Sequence, residues 1–401
     1  MESIPGLADL VWIMAVAAIA PILIGLMPAP RPPEVVVLLL GGMVLGPFVL
    51  DLVSTTADIN LLVQIGLGFL FFFAGYEIDT NLLKQPPGKL AMIAWGISIV
   101  LALVFSIVAT ELGFVHATIP VAIALTTTAL GTLTPILKDS GLAQLPLGKY
   151  VVASGAVGEF APLLAISLFL GTSGVIGALI ALGIVGGVAL LTVFLPRRTG
   201  DRIGEIVDRS SATSSQTVVR WAVVLLLLLL AVAMRFGLDI VIGAFAAGIV
   251  FRIHQRGVGM DENSRAHLIH KLEGIGFGFF VPVFFVASGV TLDLGSILES
   301  PGRMLSLFVA ILVIRGLPTF FVHTRAVPQV WDRVRLTLYT ATGLPVIIAI
   351  TTIAIASGIM TAENAAALVG AGVLTVLFFP LTAEVIGRLR PSAPAPAADP
   401  A

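Results

Sequence analysis

The run WAVVLLLLLLAVAM (221–234) holds no charge and no alternation of apolar with polar residues. A strand in a membrane barrel alternates, because one face meets lipid and the other the lumen. Every backbone N–H and C=O in lipid needs an internal partner, so helices and closed barrels are the spanning structures available. This run therefore selects the helix. Similar runs follow one another along the chain, separated by short polar joints. The hydrophobic fraction is 58% and the charged fraction 11%, against about 25% charged residues in soluble domains. The chain reads as an all-α polytopic membrane protein and not as a string of soluble domains.

A bilayer core needs roughly 20 apolar residues per helix. The candidate spans are 8–27, 34–50, 60–78, 88–112, 116–137, 148–170, 173–196, 218–234, 239–253, 271–291, 302–324, 335–358 and 363–387, about thirteen in all. Met1-Glu2-Ser3 ahead of the first span lacks the positive n-region of a signal peptide, so that span is expected to be retained. Cytoplasmic loops hold the excess Lys and Arg. With the N-terminus outside, the inner joints receive Arg31, Lys84, Lys89, Lys138, Lys149, Arg197, Arg198, Arg202, Arg209, Arg220, Arg252, Arg256, Arg265, Lys271, Arg325, Arg333, Arg335, Arg388 and Arg390. Of the 22 basic residues, Arg235 and Arg303 fall outside and Arg315 falls within a span. A wrong count would scramble this bias, so it predicts a multi-pass inner (plasma) membrane protein with a cytoplasmic C-terminus. The longest polar joint, 197–217, is a candidate seam between two halves. Residues 1–390 are expected to form one transmembrane domain, and the Pro/Ala-rich tail 391–401 to be disordered.

The absence of cysteine excludes disulfides, thiolate metal sites and cysteine nucleophiles. Net charge is -1 and no basic tract suits a nucleic acid. No cofactor motif is evident.

Two ionisable residues lie far from any span end: Glu159 in GAVGEFAPL (155–163) and Arg315 in ILVIRGLPTF (311–320). A charge there costs roughly 2.5 to 3.5 kcal/mol on insertion scales, so each is a candidate functional residue. A buried carboxylate lets a proton and a metal cation compete for the same oxygens, whereas arginine stays charged. Arg315 can neutralise Glu159 when no cation is bound, or the carbonyls of an interrupted helix. Thr126, Thr127, Thr128 and Ser154 add oxygen ligands for a partly dehydrated monovalent cation. Glu77, Asp79, Glu111, Lys271, Glu273, Asp293 and Glu384 lie near span ends within reach of water.

The fifth and twelfth spans are interrupted by similar chemistry. The fifth has Thr126-Thr127-Thr128, Gly131, Thr132, Thr134 and Pro135; the twelfth has Thr340, Thr342, Gly343, Pro345, Thr351 and Thr352. Interruptions at corresponding places in two halves point to a transporter's binding site. Gly, Thr and Pro also serve as ordinary packing residues in membrane helices.

Four strings in order resemble the cation:proton antiporter superfamily, in particular its second branch of bacterial sodium/proton exchangers and glutathione-gated potassium-efflux systems. They are VVVLLLGGMVLGP (35–47), IGLGFLFFFAGYEID (65–79), ALTTTALGTLTPILKDSG (124–141) and FFVPVFFVASGVTLDL (279–294). The resemblance covers about residues 30–388. It implies thirteen helices in inverted repeats, with spans five and twelve crossing as broken helices. Spans four to six and eleven to thirteen would form a core domain, and spans one to three and eight to ten a dimer domain of a homodimer. Activity would be alternating-access exchange of H+ for Na+ or K+. Glu159 falls where relatives place an essential aspartate, and Arg315 where many place a lysine. The chain departs from relatives in having Glu for Asp, in Gly158 as the preceding neighbour and in TGLPV (342–346), which lacks an acidic residue. With its last span ending near 387, it is expected to lack the cytosolic nucleotide-binding domain of the potassium-efflux branch. A single carboxylate, Glu159, which would bind the transported cation, predicts electroneutral exchange.

Two other readings remain at this point. A sodium-coupled organic-anion symporter on a related fold would need more cationic or polar groups than Arg315 supplies. An intramembrane metalloenzyme would use His267, His270 and Glu273, spaced by three on a helix; the H-E-x-x-H arrangement that places a general base between two ligands is missing.

Overall fold

The computed structural model describes residues 5–27, 32–54, 56–77, 80–169, 183, 186, 187, 216–236, 238, 240–257, 262–292, 295 and 301–390. Every regular element among them is helical: α1 (Pro5–Leu26), α2 (Glu34–Leu45), α3 (Ala57–Glu77), α4 (Pro86–Glu111), α5 (Thr118–Ala124), α6 (Leu130–Asp139), α7 (Pro146–Phe169), α8 (Thr217–Arg235), α9 (Ile240–Gly257), α10 (Glu262–Ile275), α11 (Val281–Val290), α12 (Pro301–Ile311), α13 (Leu317–Val322), α14 (Val330–Thr340), α15 (Leu344–Ala356) and α16 (Ala362–Leu389), besides short turns. Single π turns, Gly276–Phe280 and Leu312–Gly316, join α10 to α11 and α12 to α13. Each turn ends two residues before a proline, Pro282 or Pro318, whose missing N–H already interrupts the regular ladder.

Among the described residues nine helical runs are long and apolar enough to cross a membrane, and α2 and α9 are shorter apolar helices. With the interrupted pair α5 and α6, these occupy every expected stretch except the seventh. That stretch, 173–196, lies outside the described residues apart from 183, 186 and 187, as do Arg31, Asp79, Asp293, the joint 197–215 and the tail 391–401.

The chain divides into two compact units. One comprises Met1–Ile19, Val44–Ile78 and Ile166–Val290; the other comprises Ala20–Met43, Asp79–Ala165 and Thr291–Ala401. The division differs from the expected grouping of spans in two places: Ala20–Met43 belongs with the interrupted helices, and the end of the sixth span, from Ile166, belongs with the first unit.

In the first unit α3 and α9 meet backbone to backbone. A Cβ on Gly248 would lie 2.0 Å from the Phe72 carbonyl oxygen, and one on Gly75 2.2 Å from that of Phe245. Lipid tails are as apolar as leucine, so membrane helices associate through close packing, and small residues permit it. Aromatic rings fix α3 against the chain around the first π turn: Phe69 stacks on Phe280 at 5.2 Å and Phe73 on Phe277 at 5.0 Å. At the end of α3 the Tyr76 hydroxyl donates to Gln255 Oε1 (2.9 Å), and Arg252 Nη1 donates to the Tyr76 carbonyl (2.7 Å).

In the second unit α4 shows the inside-out pattern of a membrane protein. Its buried face is Ala91, Ala94, Ser98, Ala102, Ser106 and Ala109, while Ile93, Ile97, Val100, Val104 and Ile107 are exposed. The small side chains recur at helical spacing and let neighbours approach; the large ones are left for lipid. The interrupted helices α5–α6 and α14–α15 belong to this unit, with α7, α12–α13 and α16.

Candidate functional site: the crossing of two interrupted helices

A helix leaves its last carbonyls without intrahelical partners, and each interruption exposes such an end inside the protein. Threonine hydroxyls donate to carbonyls near both ends. At the end of α5, Thr126 Oγ1 donates to the Ile123 carbonyl (2.8 Å) and Thr127 Oγ1 to that of Ala124 (2.9 Å). Toward the end of α14, Thr340 Oγ1 donates to Leu336 (2.7 Å) and Thr342 Oγ1 to Leu338 (3.1 Å). The two breaks thus repeat one solution, the chemical counterpart of the correspondence in sequence.

The breaks are joined directly. Ala129 N donates to the Thr342 carbonyl (2.7 Å). Thr128 Oγ1 donates to the Thr340 carbonyl (2.5 Å), and Thr127 Oγ1 approaches the Gly343 carbonyl at 3.4 Å. Gly343 allows this approach, since a Cβ there would lie 2.4 Å from Thr127 Oγ1.

The third component is α7. Pro162 sits inside this helix and has no N–H to give the carbonyl four residues back. That carbonyl is Gly158's, and it accepts Thr128 N–H instead (2.8 Å). Glu159 is the next residue along α7 and is buried, with 5% of its surface exposed. The missing donor of one proline thereby ties the first break to the residue before the membrane-embedded acid.

Arg315 lies in the second π turn and is completely buried. Its Nε donates to Thr128 Oγ1 (3.1 Å) and its Nη2 to the Ser154 carbonyl (2.9 Å). A side chain at 158 would displace it: a Cβ on Gly158 would lie 2.5 Å from Arg315 Nη2 and 2.3 Å from Thr128 Oγ1. The sequence left two partners for this cation, and the guanidinium hydrogen-bonds to the hydroxyl that bridges the breaks and to an α7 carbonyl.

Of the residues singled out for the site, hydrogen bonds join Thr127 to Gly343, and Arg315 to Thr128 and the Ser154 carbonyl; Thr126 and Glu159 are the chain neighbours of Thr127 and Gly158. Thr126, Thr127, Thr128, Ser154, Glu159 and Arg315 are all buried, and Gly343 lies at the crossing. Thr126 and Thr127 direct their hydroxyl protons to carbonyls of their own helix. Ser154 Oγ is buried without a partner. Sequence reasoning marked Gly158 only as a departure from relatives and passed over Pro162; the signal was the proline four residues after the glycine, the spacing that frees a carbonyl. The His267, His270 and Glu273 set is not at this site. His270 Nδ1 and Glu273 Oε2 pair at 3.1 Å on an exposed surface, and among the described residues no group of three His, Asp or Glu side chains is arranged to hold a metal ion.

An all-helical membrane protein built around two crossed, interrupted helices beside a buried acid has the architecture of a secondary transporter. The family model described as "Sodium/hydrogen exchanger, transmembrane" matches residues 14–388, and the chain belongs to that family. YjbQ of Bacillus subtilis, whose name assigns it to Na+/H+ antiport, is 26% identical over 336 residues, covering 79% of this chain and 53% of that protein. The Na+/H+ antiporter NhaS4 of Synechocystis is 27% identical over 318 residues, 72% of this chain and 74% of that one. The glutathione-regulated potassium-efflux protein KefC of Enterobacter is 28% identical over 342 residues, 79% of this chain and 49% of the relative. The chain thus spans about half the length of two of these three relatives. The sodium–proton antiporter MjNhaP1 of Methanocaldococcus jannaschii shares the fold, with a TM-score of 0.63 over 96% of this chain and 95% of that one, at 17% identity.

Proposed function

We propose that this protein exchanges a monovalent cation, Na+ or K+, for H+ across the membrane, with Glu159 as the group for which the two compete. The observation that carries this reading is the burial of Glu159 one residue beyond the Gly158 carbonyl that holds the crossing. A carboxylate there must be neutralised in every state that moves through the membrane, because a buried lone charge is costly. A proton or a cation does so equally well, and neither can be present with the other. Thr126, Thr127, Thr128 and Ser154 supply further oxygens, and hard monovalent cations take oxygen ligands. The relatives' names, which include both sodium and potassium antiporters, support the ion class.

The stoichiometry follows from the charge count. Arg315 remains cationic throughout, and Glu159 is neutral whether it carries H+ or the cation. Each crossing then moves the same charge, so exchange is one for one and electroneutral. Alternating access, with the acid exposed to each side in turn, and assembly as a homodimer belong to the same proposal. So do the outside N-terminus and the cytoplasmic C-terminus in the plasma membrane. An organic-anion symporter is not favoured, because Arg315 Nε and Nη2 are already bonded to protein acceptors.

The test is reconstitution into vesicles loaded with a pH-sensitive dye. A gradient of Na+ or K+ should drive proton movement that is unaffected by an imposed membrane voltage. Glu159→Gln, which cannot ionise, should abolish it while the protein stays folded. Retained exchange in that variant would remove the assignment.

A further inference from the structure

A polar seam continues past the crossing between α7 and the helix formed by α12 and α13. On α7 it comprises Tyr150, Ser154 and Gly158, four residues apart and therefore on one face. On the other helix it comprises Arg315, Thr319 and His323 at the same spacing, linked end to end: Thr319 Oγ1 donates to the Arg315 carbonyl (3.1 Å), and His323 Nδ1 lies 2.9 Å from the Thr319 carbonyl. The helices pair in opposite directions. Arg315 meets Ser154 and Gly158, and the His323 ring meets the Tyr150 ring edge-on at 5.7 Å and 89°.

Three buried polar atoms of this seam have no hydrogen-bond partner: Arg315 Nη1, Ser154 Oγ and His323 Nε2. His323 is the most informative. The ring is completely buried, and a carbonyl only accepts, so Nδ1 carries the hydrogen shared with Thr319. Neutral imidazole has one donor and one acceptor nitrogen. Nε2 is thus a bare lone pair in a membrane protein's interior, one helical repeat beyond Ser154 along the seam. Titratable neighbours are few. Tyr150 comes from α7, and Arg315 shares the helix line. The charged residues of α4 are Lys89, which is exposed, and Glu111. On α14 Asp332 and Arg335 pair at 3.5 Å, Arg333 lies over the Phe320 ring at 4.6 Å, and Tyr339 is the remaining titratable group.

We propose that His323 Nε2 is a second proton-binding site of the exchange cycle, standing between Glu159 and the aqueous phase on the side of the Arg325 loop, with the Ser154 hydroxyl as the intermediate group. The assignment rests on the reading of Glu159 as the exchanging acid. In the state open on the side of the Arg325 loop, water brings a proton to Nε2, and the ring becomes imidazolium with Nδ1–H still on Thr319. Ser154 Oγ is hydrogen-bonded neither to Nε2 nor to the Glu159 carboxylate in this state, so the transfer runs through bridging water. Nε2 releases its proton, Ser154 Oγ takes one up and gives its own hydroxyl hydrogen on toward Glu159, and His323 and Ser154 end as they began. The reverse sequence empties Glu159. The seam suits protons in particular. A proton hops between hydrogen-bonding groups, whereas a metal ion moving along it would need room and oxygen ligands at every step. The cation is therefore assigned a different route to the same acid.

Two measurements on the full chain in vesicles test this. The first is cation-driven proton flux against pH for His323→Ala, His323→Gln and Ser154→Ala. Each should slow flux by at least about 100-fold, the low end of what a positioned acid–base group contributes, and added imidazole should restore His323→Ala. A residue that merely fills space would give an unchanged pH profile and no rescue, which overturns the proposal. If the His323 variants fail to fold, Ser154→Ala decides, and a parental rate and profile overturn it. The second readout needs no transport: hydrogen exchange at the His323 imidazole C2, followed by mass spectrometry, rises and falls with protonation of the ring. A sigmoidal pH profile in the intact chain and in Glu159→Gln supports the site, and a flat one overturns it. Retained flux in Glu159→Gln would instead indict the reading of Glu159, so the two failures are distinct.

Discussion

Gly158 and Pro162 do more at the site than their lack of functional groups suggests. Pro162 frees the Gly158 carbonyl for Thr128, and Gly158 leaves room for Thr128 and Arg315 against α7. Gly158→Ala places a methyl group on Arg315 Nη2 and Thr128 Oγ1, neither of which is the loose end of a solvated chain. It should cost about 1–3 kcal/mol as overpacking does, read as a lowered unfolding temperature in detergent. Pro162→Ala acts in the opposite sense on stability. It returns an N–H to the helix and removes the cost of an interior proline, so the unfolding temperature should hold or rise. The restored donor competes with Thr128 for the Gly158 carbonyl, and cation-driven proton flux should fall; parental flux would show that this link is dispensable. Arg315→Lys keeps the charge but replaces a planar fork by a point donor. Losing one charged hydrogen bond costs about 1.5–3 kcal/mol, and thermal unfolding against the parent checks that figure.

Among the elements, the two broken helices depend on threonine hydroxyls in two ways that mutation can separate. Thr128 Oγ1 bridges α14 and Arg315, whereas Thr351 Oγ1 donates within its own helix to Ile348 (2.9 Å). Thr128→Val removes both an acceptor for a guanidinium and a donor to a buried carbonyl and should cost about 2–4 kcal/mol. Thr351→Val should cost less than about 1 kcal/mol. Equal losses in unfolding measurements would mean that the breaks are not joined through Thr128. The positions of these breaks were legible in sequence, because Thr, Gly and Pro recur at corresponding places in two apolar runs. The acid and the guanidinium were legible from charge alone, since lipid-depth charges are expensive. The direction of Arg315 was not. A π turn inserts an extra residue and rotates the helix beyond it by about 100°, so counting at 3.6 residues per turn cannot say which neighbour it faces. The use of Thr126 and Thr127 as caps was hidden for a related reason: it depends on where α5 stops, and that is decided by the crossing helix.

Across the whole molecule, bulk buried at Phe69, Phe71, Phe72, Phe284 and Tyr339 is combined with backbone proximity, which dominates on α4, where large apolar side chains face outward and small ones inward. Gly248→Leu would drive a side chain into the Phe72 carbonyl, 2.0 Å from the first added carbon. It should destabilise the first unit by more than the usual 1–3 kcal/mol of overpacking, while Gly96→Leu, where a Cβ meets nothing within 4 Å, should be tolerated; size-exclusion profiles and unfolding temperatures report both. The scaffold holds one carboxylate against a hydrogen-bonded crossing, and the proposed exchange depends on it. The most direct test is the purified chain and its Glu159→Gln variant in dye-loaded vesicles, compared under opposed Na+ and K+ gradients. The account predicts proton flux that reverses with the cation gradient in the intact chain and none in the variant. Undiminished flux from the variant would contradict it.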